Sequence, residues 1–388
     1  MITDRYTLRE NNEQLVLATL IEEKSISRAQ ISKMTGLNKA SVSDIANKLI
    51  HNQFIHEVGS GESTTSGGRK PILLQLNKFA GLTLTIDLGY DYVSYLVTYL
   101  NGEVLKKETL SIQVDKSSCV EVIQNIYQEQ RTVAAESPYG ITSLSIAVHG
   151  IVSDNRIVFT PYYDLDEIDL YSVLSDLIPV PIHIENEANL SALAEKTFST
   201  TVSNLVSISV HSGIGAGIIV NNELYHGRDG RSGEIGHTIL YPNGKKCPCG
   251  NHGCLEQYSS QKAILAAFQE AKKDDQLTLY DLIMAYSTGD TIANELIKNF
   301  ALYLSVGINN VIASYGTEKI YLHSTLVTEI PELLSIIQEH IVSSFSNSVP
   351  IENSSLQESA VLLGGAASGI QGFFNLTSLY LGPNKMIQ

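Results

Sequence analysis

One histidine and three cysteines are spaced as metal ligands in the second half of the chain. His237 is followed by Cys247, Cys249 and Cys254, and the three cysteines lie within eight residues. Three thiolates and one imidazole complete a tetrahedral zinc site, and four protein ligands leave no open position for a catalytic water. The spacing therefore predicts a structural Zn²⁺ site. His252 is an alternative fourth ligand, and unligated core cysteines are the alternative to any metal.

Several polar side chains near this motif suit a small ligand. Carboxylates and imidazoles form hydrogen bonds with the vicinal hydroxyls of a sugar, which an apolar pocket cannot do. Taken singly, each Glu is better explained as a solvated surface group, and only the clustering beside the glycine and cysteine motifs singles the set out. The candidates are Asn186, Glu187, Glu234, His237 and Glu256.

A glycine-rich segment follows the apolar run 205–210. Gly213, Gly215 and Gly217 alternate there, and glycines at such spacing permit close backbone approach. The N–H groups of the turn can then face a phosphate or a sugar hydroxyl. A plain hairpin between two strands is the alternative, and the pattern leaves both open.

The charge of the chain is unevenly distributed. The formal net charge is -15, but residues 1–80 carry ten Lys or Arg against eight Asp or Glu, and the other 308 carry sixteen against thirty-three. This difference predicts a small basic module before a large acidic one. Nucleic acid is therefore expected as a partner of the first part only.

Residues 27–49 have the pattern of a helix-turn-helix. Ser27 and Gln30 fit a capping box, a glycine breaks the helix that follows, and the next helix has one apolar face. The strand-like segments 54–58 and 71–76 predict a winged hairpin. A three-helix packing module is the alternative. The predicted DNA contacts are Arg28, Lys39, Ser41, Ser43, Asn47, Arg69 and Lys70.

The composition is that of a folded protein. The chain has 388 residues, of which 43% are hydrophobic and 17% charged, which excludes a disulfide mini-protein and bulk disorder. No apolar run approaches the ~20 residues that span a bilayer, and Asp4, Glu10 and Glu13 stand where a signal peptide would be basic and then apolar. We therefore expect a cytoplasmic protein without a membrane partner.

Beyond residue 78, strand-like runs alternate with helical stretches, which is typical of an α/β fold. With the residues above, the chain resembles the ROK family, which groups sugar kinases with sugar-responsive repressors. The likeness covers nearly the whole chain. It is most specific at Gly-Glu-Ile-Gly-His (233–237) and at Cys-Pro-Cys-Gly-Asn-His-Gly-Cys-Leu-Glu (247–256), and the winged module resembles the repressor branch.

The resemblance implies a winged helix-turn-helix followed by a two-lobed actin-like, ribonuclease H-like ROK domain with a sugar in the cleft. The family's sugar contacts would map onto the five candidates above, with His237 serving both zinc and sugar. Xylose is the leading sugar by resemblance. The expected domains are a DNA-binding domain at 1–77, a first lobe at 78–197 completed by a C-terminal helix near 374–388, and a second lobe at 198–373.

A sugar kinase is the main enzymatic alternative. The resemblance implies a catalytic Asp after Asn186, but Glu187 stands there, and a misplacement near 1 Å can cost about a hundredfold in rate. In the expected first phosphate loop, which begins at Asp87, Tyr90 and Asp91 add bulk and negative charge. Two further departures from the kinase pattern are His211-Ser212 and His323-Ser324. We therefore assign no catalytic residue.

The sequence thus favours a repressor that binds operator DNA as a homodimer or tetramer and responds to a sugar effector. Two copies of a recognition helix one DNA turn apart read a palindrome, which is why a dimer is expected. A repressor controlled by a protein partner, and a structural zinc protein without a small ligand, are the remaining alternatives.

Overall fold

A computed structural model gives the structure of the chain and describes residues 5–60, 70–161 and 163–382. Within those ranges the chain forms two compact units. The first comprises residues 1–190, 197–201 and 361–388, and the second comprises residues 191–196 and 202–360. The chain thus passes between the units three times over residues 190–202, then completes the second unit and returns to the first at residue 361.

The N-terminal part of the first unit is a winged helix. Three helices pack beside an antiparallel sheet in the order β1-β3-β2. Apolar side chains at helical spacing, such as Leu20, Ile31 and Leu49, are buried in their shared core. The loop 61–69 lies outside the described residues. The elements are α1 (Arg5–Glu23), β1 (Ile26–Ser27), α2 (Arg28–Thr35), α3 (Lys39–His51), β2 (Ile55–Ser60) and β3 (Ile72–Leu76).

The rest of the first unit is built on a five-stranded sheet in the order β10-β7-β4-β5-β6. Strands β4 to β6 form an antiparallel meander, and β7 and β10 extend the sheet parallel to β4. The elements are β4 (Leu82–Leu88), β5 (Val93–Tyr99), β6 (Val104–Leu110), α4 (Cys119–Val133), β7 (Ile141–Val148), β8 (Ile151–Ser153), β9 (Arg156–Phe159), α5 (Leu170–Leu177), β10 (Ile182–Asn186), α6 (Glu187–Phe198) and, later in the chain, α13 (Ala360–Phe374).

The two faces of the central strand β4 differ in chemistry. Leu84 and its apolar neighbours share a core with α4 and α5, whereas Thr85 faces α13. A Cβ on Gly365 would lie 2.2 Å from Thr85 Cγ2, and Ser145 Oγ donates a hydrogen bond of 2.8 Å to Gly365 O. The glycines of α13 therefore let this helix pack closely against the sheet.

Aromatic side chains join the winged helix to the rest of the first unit. The ring of Phe54 lies 5.1 Å from that of Tyr139, 5.5 Å from that of Phe373 and 5.7 Å from that of Phe374. Tyr139 OH also donates a hydrogen bond of 3.0 Å to Asn52 O. The winged helix thus shares its core with helix α13.

The second unit has the same strand order as the first. Strands β11 to β13 form an antiparallel meander, and β14 and β15 extend it parallel to β11. Helices α8 to α12 contribute to its core. The elements are β11 (Leu205–Val210), β12 (Ile214–Val220), β13 (Glu223–Leu224), α7 (Glu256–Ser259), α8 (Gln261–Lys272), α9 (Leu279–Ser287), α10 (Thr291–Tyr315), β14 (Lys319–His323), α11 (Thr325–Glu329), α12 (Glu332–Glu339) and β15 (Ile351–Asn353).

Helix α10 is long and apolar enough to cross a bilayer by length and composition, with a mean hydropathy of 1.3. Half of that apolar window is buried within the protein, and residues such as Ile297, Phe300 and Leu304 belong to the core of the second unit. The sequence did not single out this helix, because Glu295 and Lys298 interrupt its apolar run. Its apolar character is that of a core helix.

These observations confirm the predicted winged helix and α/β organisation. The last described helix differs from the expected one, because α13 ends at Phe374 and the expected range began there. Asn375 has a φ of 52°, and Leu376 N donates a hydrogen bond of 2.9 Å to Gln371 O. This left-handed turn ends the helix. Residues 383–388 lie outside the described residues.

Candidate DNA-binding, ligand-binding and metal sites

Local caps set the ends of the helices in the helix-turn-helix. The capping box is confirmed: Ser27 Oγ accepts a hydrogen bond from Gln30 N, and the Gln30 side chain accepts one from Ser27 N. Gly36, with a φ of 72°, ends α2. Asn38 Oδ1 then accepts a hydrogen bond of 2.8 Å from Ser41 N and starts α3. The local sequence thus fixes the turn between α2 and α3.

Six of the seven predicted DNA contacts lie within the described residues, and Arg69 lies outside them. Arg28 is engaged within the module, since its guanidinium lies 3.0 Å from Glu57 Oε1 and donates a hydrogen bond of 3.3 Å to Asn47 Oδ1. This ties α3 to the start of α2 and to β2. The side chains of Lys39, Asn47 and Lys70 are exposed, and those of Arg28, Ser41 and Ser43 are half-buried.

Asn186 and Glu187 stand at the junction of β10 and α6 in the first unit. Asn186 Oδ1 starts the helix by accepting hydrogen bonds from Ala188 N at 2.8 Å and Asn189 N at 3.2 Å. Its Nδ2 donates to Glu187 Oε2 at 2.7 Å and to Gly150 O at 2.6 Å. The amide therefore orients the Glu187 carboxylate at the carboxyl end of a parallel strand, where open α/β sheets bind ligands.

A second polar group lies at the carboxyl ends of β4 and β7. The buried Asp87 has Oδ1 3.0 Å from His149 Nε2, and its Oδ2 accepts a hydrogen bond of 2.9 Å from Tyr92 OH. Burial lowers the pKa of His149, but the charge and hydrogen bond of Asp87, with a contribution from Glu187, raise the pKa to about 9. His149 is therefore an imidazolium at neutral pH.

The loop after β4 is covered by an aromatic ring. Tyr90 and Asp91, which the sequence analysis placed against a phosphate, are both exposed. The ring of Tyr92 lies on Gly89, where a Cβ would be 2.2 Å from Tyr92 Cε1. Because β4 and β5 are antiparallel neighbours, the turn between them brings Tyr92 back over the backbone of Gly89. Tyr92 is thus the residue that covers this loop.

The four predicted metal ligands come together in the second unit. The donor atoms of His237, Cys247, Cys249 and Cys254 all lie within 4.8 Å of one another. The Sγ atoms of Cys249 and Cys254 are 3.7 Å apart, and His237 Nδ1 is 3.5 Å from Cys247 Sγ. His252 is exposed and stands outside this group. The cluster could hold a metal ion, with His237 as its nitrogen donor.

A tight loop brings these cysteines into range. Gly253 has a φ of 87°, and a Cβ there would lie 1.6 Å from Tyr241 O, so only glycine fits. Cys247 N donates a hydrogen bond of 2.9 Å to Asn251 O and closes the turn that carries Cys249. The short spacing between the cysteines is therefore matched to one compact backbone conformation.

His237 also stands between two of the predicted sugar-binding carboxylates. Its Nε2 lies 3.7 Å from Glu234 Oε2, and its Nδ1 lies 3.6 Å from Glu256 Oε1. Glu256 Oε1 accepts a hydrogen bond of 3.2 Å from the Cys247 thiol. Burial raises the pKa of Glu234, although His237 lowers it. The three candidates of the second unit thus form one group beside the metal cluster.

The glycine-rich segment after β11 is a hairpin. Val210 lies opposite Ile214 across the antiparallel pair β11-β12, so residues 211–213 form the turn. A Cβ on Gly213 would lie 3.2 Å from Glu256 Oε2, which places the turn beside that carboxylate. Of the two interpretations that the sequence left open, the structure has the hairpin.

Three residues at these sites were missed by the sequence analysis. Tyr92 and His149 complete the group around Asp87, and the fully buried Glu195 lies 3.3 Å from His323 Nε2. Asp87 and His149 are 62 residues apart, so no short motif joins them. A usable signal exists, however, since both residues end buried runs that the α/β pattern places at the same sheet edge.

Comparison with known proteins gives concordant matches. The model of the ROK family matches residues 83–371. The xylose repressor of Bacillus subtilis (strain 168) is 35% identical over 390 residues, covering 97% of this chain and 100% of the relative. A crystal structure described as a ROK family transcriptional regulator, a homologue of the E. coli MLC protein, has a TM-score of 0.80 at 29% identity. That match covers 95% of this chain and 97% of that one.

A kinase shares the fold. A ROK family glucokinase from Streptomyces griseus, in complex with glucose and AMPPNP, has a TM-score of 0.64 at 24% identity. The match covers 75% of this chain and 100% of the kinase. At this identity the likeness concerns the fold alone. The family match over 83–371 and the relative that is similar along nearly the whole chain decide the family. The chain belongs to the ROK family.

Proposed function

We propose that this protein represses carbohydrate-utilisation genes by binding operator DNA, and that a sugar effector changes its affinity for that DNA. The observation that carries the proposal is a winged helix that shares one core with the rest of the first unit of a ROK protein. The exposed side chains of Lys39 and Asn47 on α3 suit contacts in the major groove. The likeness to a xylose repressor along the chain supports the same function.

Two groups of residues are proposed to bind the sugar. In the first unit, Asn186 orients Glu187, whose carboxylate can accept hydrogen bonds from two hydroxyls. In the second unit, Glu234, His237 and Glu256 offer further acceptors and an imidazole. Xylose is the first sugar to test, because a relative that is 35% identical to this chain is described as a xylose repressor.

We propose that the metal of the Cys3His cluster is Zn²⁺ and that it is structural. Two sulfur ligands at the usual Zn–S distance of ~2.3 Å and a tetrahedral angle would be about 3.8 Å apart. The observed separation of 3.7 Å between Cys249 Sγ and Cys254 Sγ agrees with that spacing. His237, Cys247, Cys249 and Cys254 would fill all four positions. The bound ion would fix His237, and with it the neighbouring carboxylates.

We propose a cytoplasmic homodimer that reads a palindromic operator. A sugar changes DNA affinity only if it binds one conformation of the protein more tightly than another. The proposed difference lies in the spacing of the two recognition helices, because half-sites one DNA turn apart tolerate little change in it. By linkage, operator DNA must then weaken sugar binding by the same factor by which the sugar weakens DNA binding.

The test is a gel-shift titration with DNA from upstream of sugar-utilisation genes, with and without D-xylose. We expect a specific complex in the nanomolar range, which xylose weakens at least tenfold. Lys39→Ala should weaken binding, whereas Lys262→Ala, an exchange on a helix of the second unit, serves as the matched control. A wild-type complex indifferent to every sugar in a pentose and hexose panel would contradict the sensing part.

Phosphoryl transfer is the enzymatic alternative, and the site does not favour it. Both oxygens of Asp87 are engaged, and Tyr92 covers Gly89. We therefore expect no sugar phosphate from ATP, Mg²⁺ and the same sugar panel. Product formed at rates above about 1 s⁻¹, within the usual range for kinases, would replace the repressor assignment with a bifunctional one.

A further inference from the structure

His149 lies beside the proposed sugar-binding pair of the first unit. It directly follows β7 and precedes Gly150, whose carbonyl accepts the hydrogen bond from Asn186 Nδ2. Glu187 is close enough for its charge to raise the pKa of His149 and to act on Tyr92 and Tyr163 as well. These side chains therefore share one electrostatic environment at the carboxyl ends of the parallel strands.

The imidazole of His149 is held in a single orientation. Its Nε2 lies 3.0 Å from Asp87 Oδ1 and 3.3 Å from Tyr92 OH, whose ring is edge-on to it at 6.3 Å. The backbone is fixed as well, since His149 N donates a hydrogen bond of 3.1 Å to Tyr163 OH, which donates to Leu88 O at 2.8 Å. Such contacts hold a ligand-binding side chain in place before the ligand arrives.

The second nitrogen of this ring, Nδ1, takes no part in the contacts described above. The side chain is 32% exposed although Asp87 is buried, and among the described residues no hydrogen bond to Nδ1 is present. Because a carboxylate only accepts, Nε2 must carry a hydrogen in both protonation states. Nδ1 is therefore a donor in the imidazolium and an acceptor in the neutral ring.

We propose that His149 determines specificity by donating a hydrogen bond from Nδ1 to an uncharged oxygen of the sugar, and that Asp87 positions it. The inference rests on the proposed sugar sensing and adds a residue to it. An ammonium group has no lone pair to accept this hydrogen bond, so the contact favours a sugar hydroxyl over a protonated amino group at that place. Asp87, whose oxygens are both engaged, acts through His149 and Tyr92.

Calorimetric titration with D-xylose tests the contact. His149→Leu should weaken binding about tenfold to a hundredfold, as expected for a lost hydrogen bond to a charged group, and His149→Gln should weaken it less because it keeps a donor. His183→Gln, at a half-buried histidine of the same unit, should bind as the wild type does. Wild-type binding retained in His149→Leu would overturn this inference alone. A wild-type protein that binds no sugar of the panel would overturn the proposed sensing with it.

The role of Asp87 is tested by the pH dependence of affinity. The groups that face His149 are Asp87, Tyr92, Tyr163 and Glu187. With a pKa of about 9, His149 stays protonated and wild-type affinity should be flat from pH 6 to 8, then fall as pH rises through 9. In Asp87→Asn the pKa should drop toward the ordinary value of about 6.5, so affinity should fall between pH 6 and 8. A flat profile in that variant would contradict the positioning role.

A measurement without any substitution guards against variants that fail to fold. The imidazole signals of wild-type His149 can be titrated by NMR with and without D-xylose. A hydrogen bond from Nδ1–H stabilises the imidazolium, so xylose should raise the pKa of His149. A pKa that stays the same or falls in the presence of bound xylose would contradict the proposal.

Discussion

At the scale of single residues, buried charge is matched by a nearby partner. Asp87 has His149 on one oxygen and Tyr92 on the other. The buried Glu195 is matched at Oε1 only, which accepts a hydrogen bond from the Ser354 hydroxyl and lies 3.3 Å from His323 Nε2, whereas its Oε2 has no hydrogen-bond partner among the described residues. Removing one member of a buried pair leaves the other uncompensated, which costs more than the pair contributes. These groups are therefore sensitive to single substitutions that surface charges would tolerate.

The metal cluster gives a prediction at the same scale. Wild-type protein should contain one zinc per chain by mass spectrometry, and Cys247→Ser should lose it and unfold at a lower temperature. The physical reason is that zinc binding free energy is largely folding free energy for a site held by a short loop.

Cys119→Ser is the matched control for the metal prediction, because Cys119 is a buried cysteine remote in sequence from the cluster. It should retain the zinc. A chelator should lower the midpoint temperature of the wild type and leave that of Cys247→Ser unchanged. Metal-free wild-type protein with the same midpoint would refute the structural role.

At the scale of elements, α13 shows how glycine decides helix packing. A Cβ on Gly364 would lie 1.9 Å from Leu190 O, and one on Gly369 would lie 2.2 Å from Ser143 Oγ. Helix propensity alone disfavours these glycines, since each costs about 1 kcal/mol relative to alanine. The close approach of α13 to helix α6 at Gly364 and to strand β7 at Gly369 outweighs that cost.

Alanine substitutions within α13 test this packing. Gly364→Ala should destabilise the protein by about 1–3 kcal/mol, because the Leu190 carbonyl belongs to the backbone and cannot move aside. Gly372→Ala is the control in the same helix, where the added Cβ meets only the His183 ring at 3.2 Å. Urea unfolding should show a clear loss of stability in the first variant, and no loss or a gain of up to about 1 kcal/mol in the second, because alanine has the higher helix propensity. Equal effects would show that propensity, rather than packing, governs the helix.

At the scale of the whole molecule, the DNA-binding module and the rest of the chain differ in net charge. The N-terminal 80 residues are slightly basic, whereas the remainder carries the excess of acid. DNA repels the acidic remainder of the chain and attracts the basic N-terminal module. The electrostatic field of the protein therefore favours an approach in which this module meets the DNA first. Binding should therefore depend on salt through the few phosphate contacts of that module alone.

The spacing of half-sites tests the proposed dimer. A homodimer should require two half-sites about 34 Å apart, which is one turn of DNA. Inserting five base pairs between them rotates one half-site to the opposite side of the duplex and should abolish cooperative binding in a gel shift. Inserting ten should restore part of it. Sedimentation that shows a monomer bound to a single half-site with full affinity would exclude the dimer.

The sequence could predict what short segments determine. The capping box at Ser27 and the spacing of Cys247, Cys249 and Cys254 each depend on neighbours in the chain, and the structure has the box and brings the cysteines together. The sequence could not predict that Tyr92 covers Gly89 or that Arg28 pairs with Glu57, because those contacts depend on strand pairing and on side-chain direction. The sugar-binding assignments remain predictions.

Phe54 stacks on Tyr139 and meets Phe373 and Phe374 edge-to-face, and these contacts limit how the chain can be truncated. A fragment that ends near residue 77 would lose all three partner rings. The apolar surface of the winged helix that these rings cover would then be exposed to water. The isolated winged helix would therefore tend to aggregate. A fusion of this domain to another sensor domain would have to include helix α13 as well. The winged helix and the rest of the first unit are therefore expected to change together in evolution.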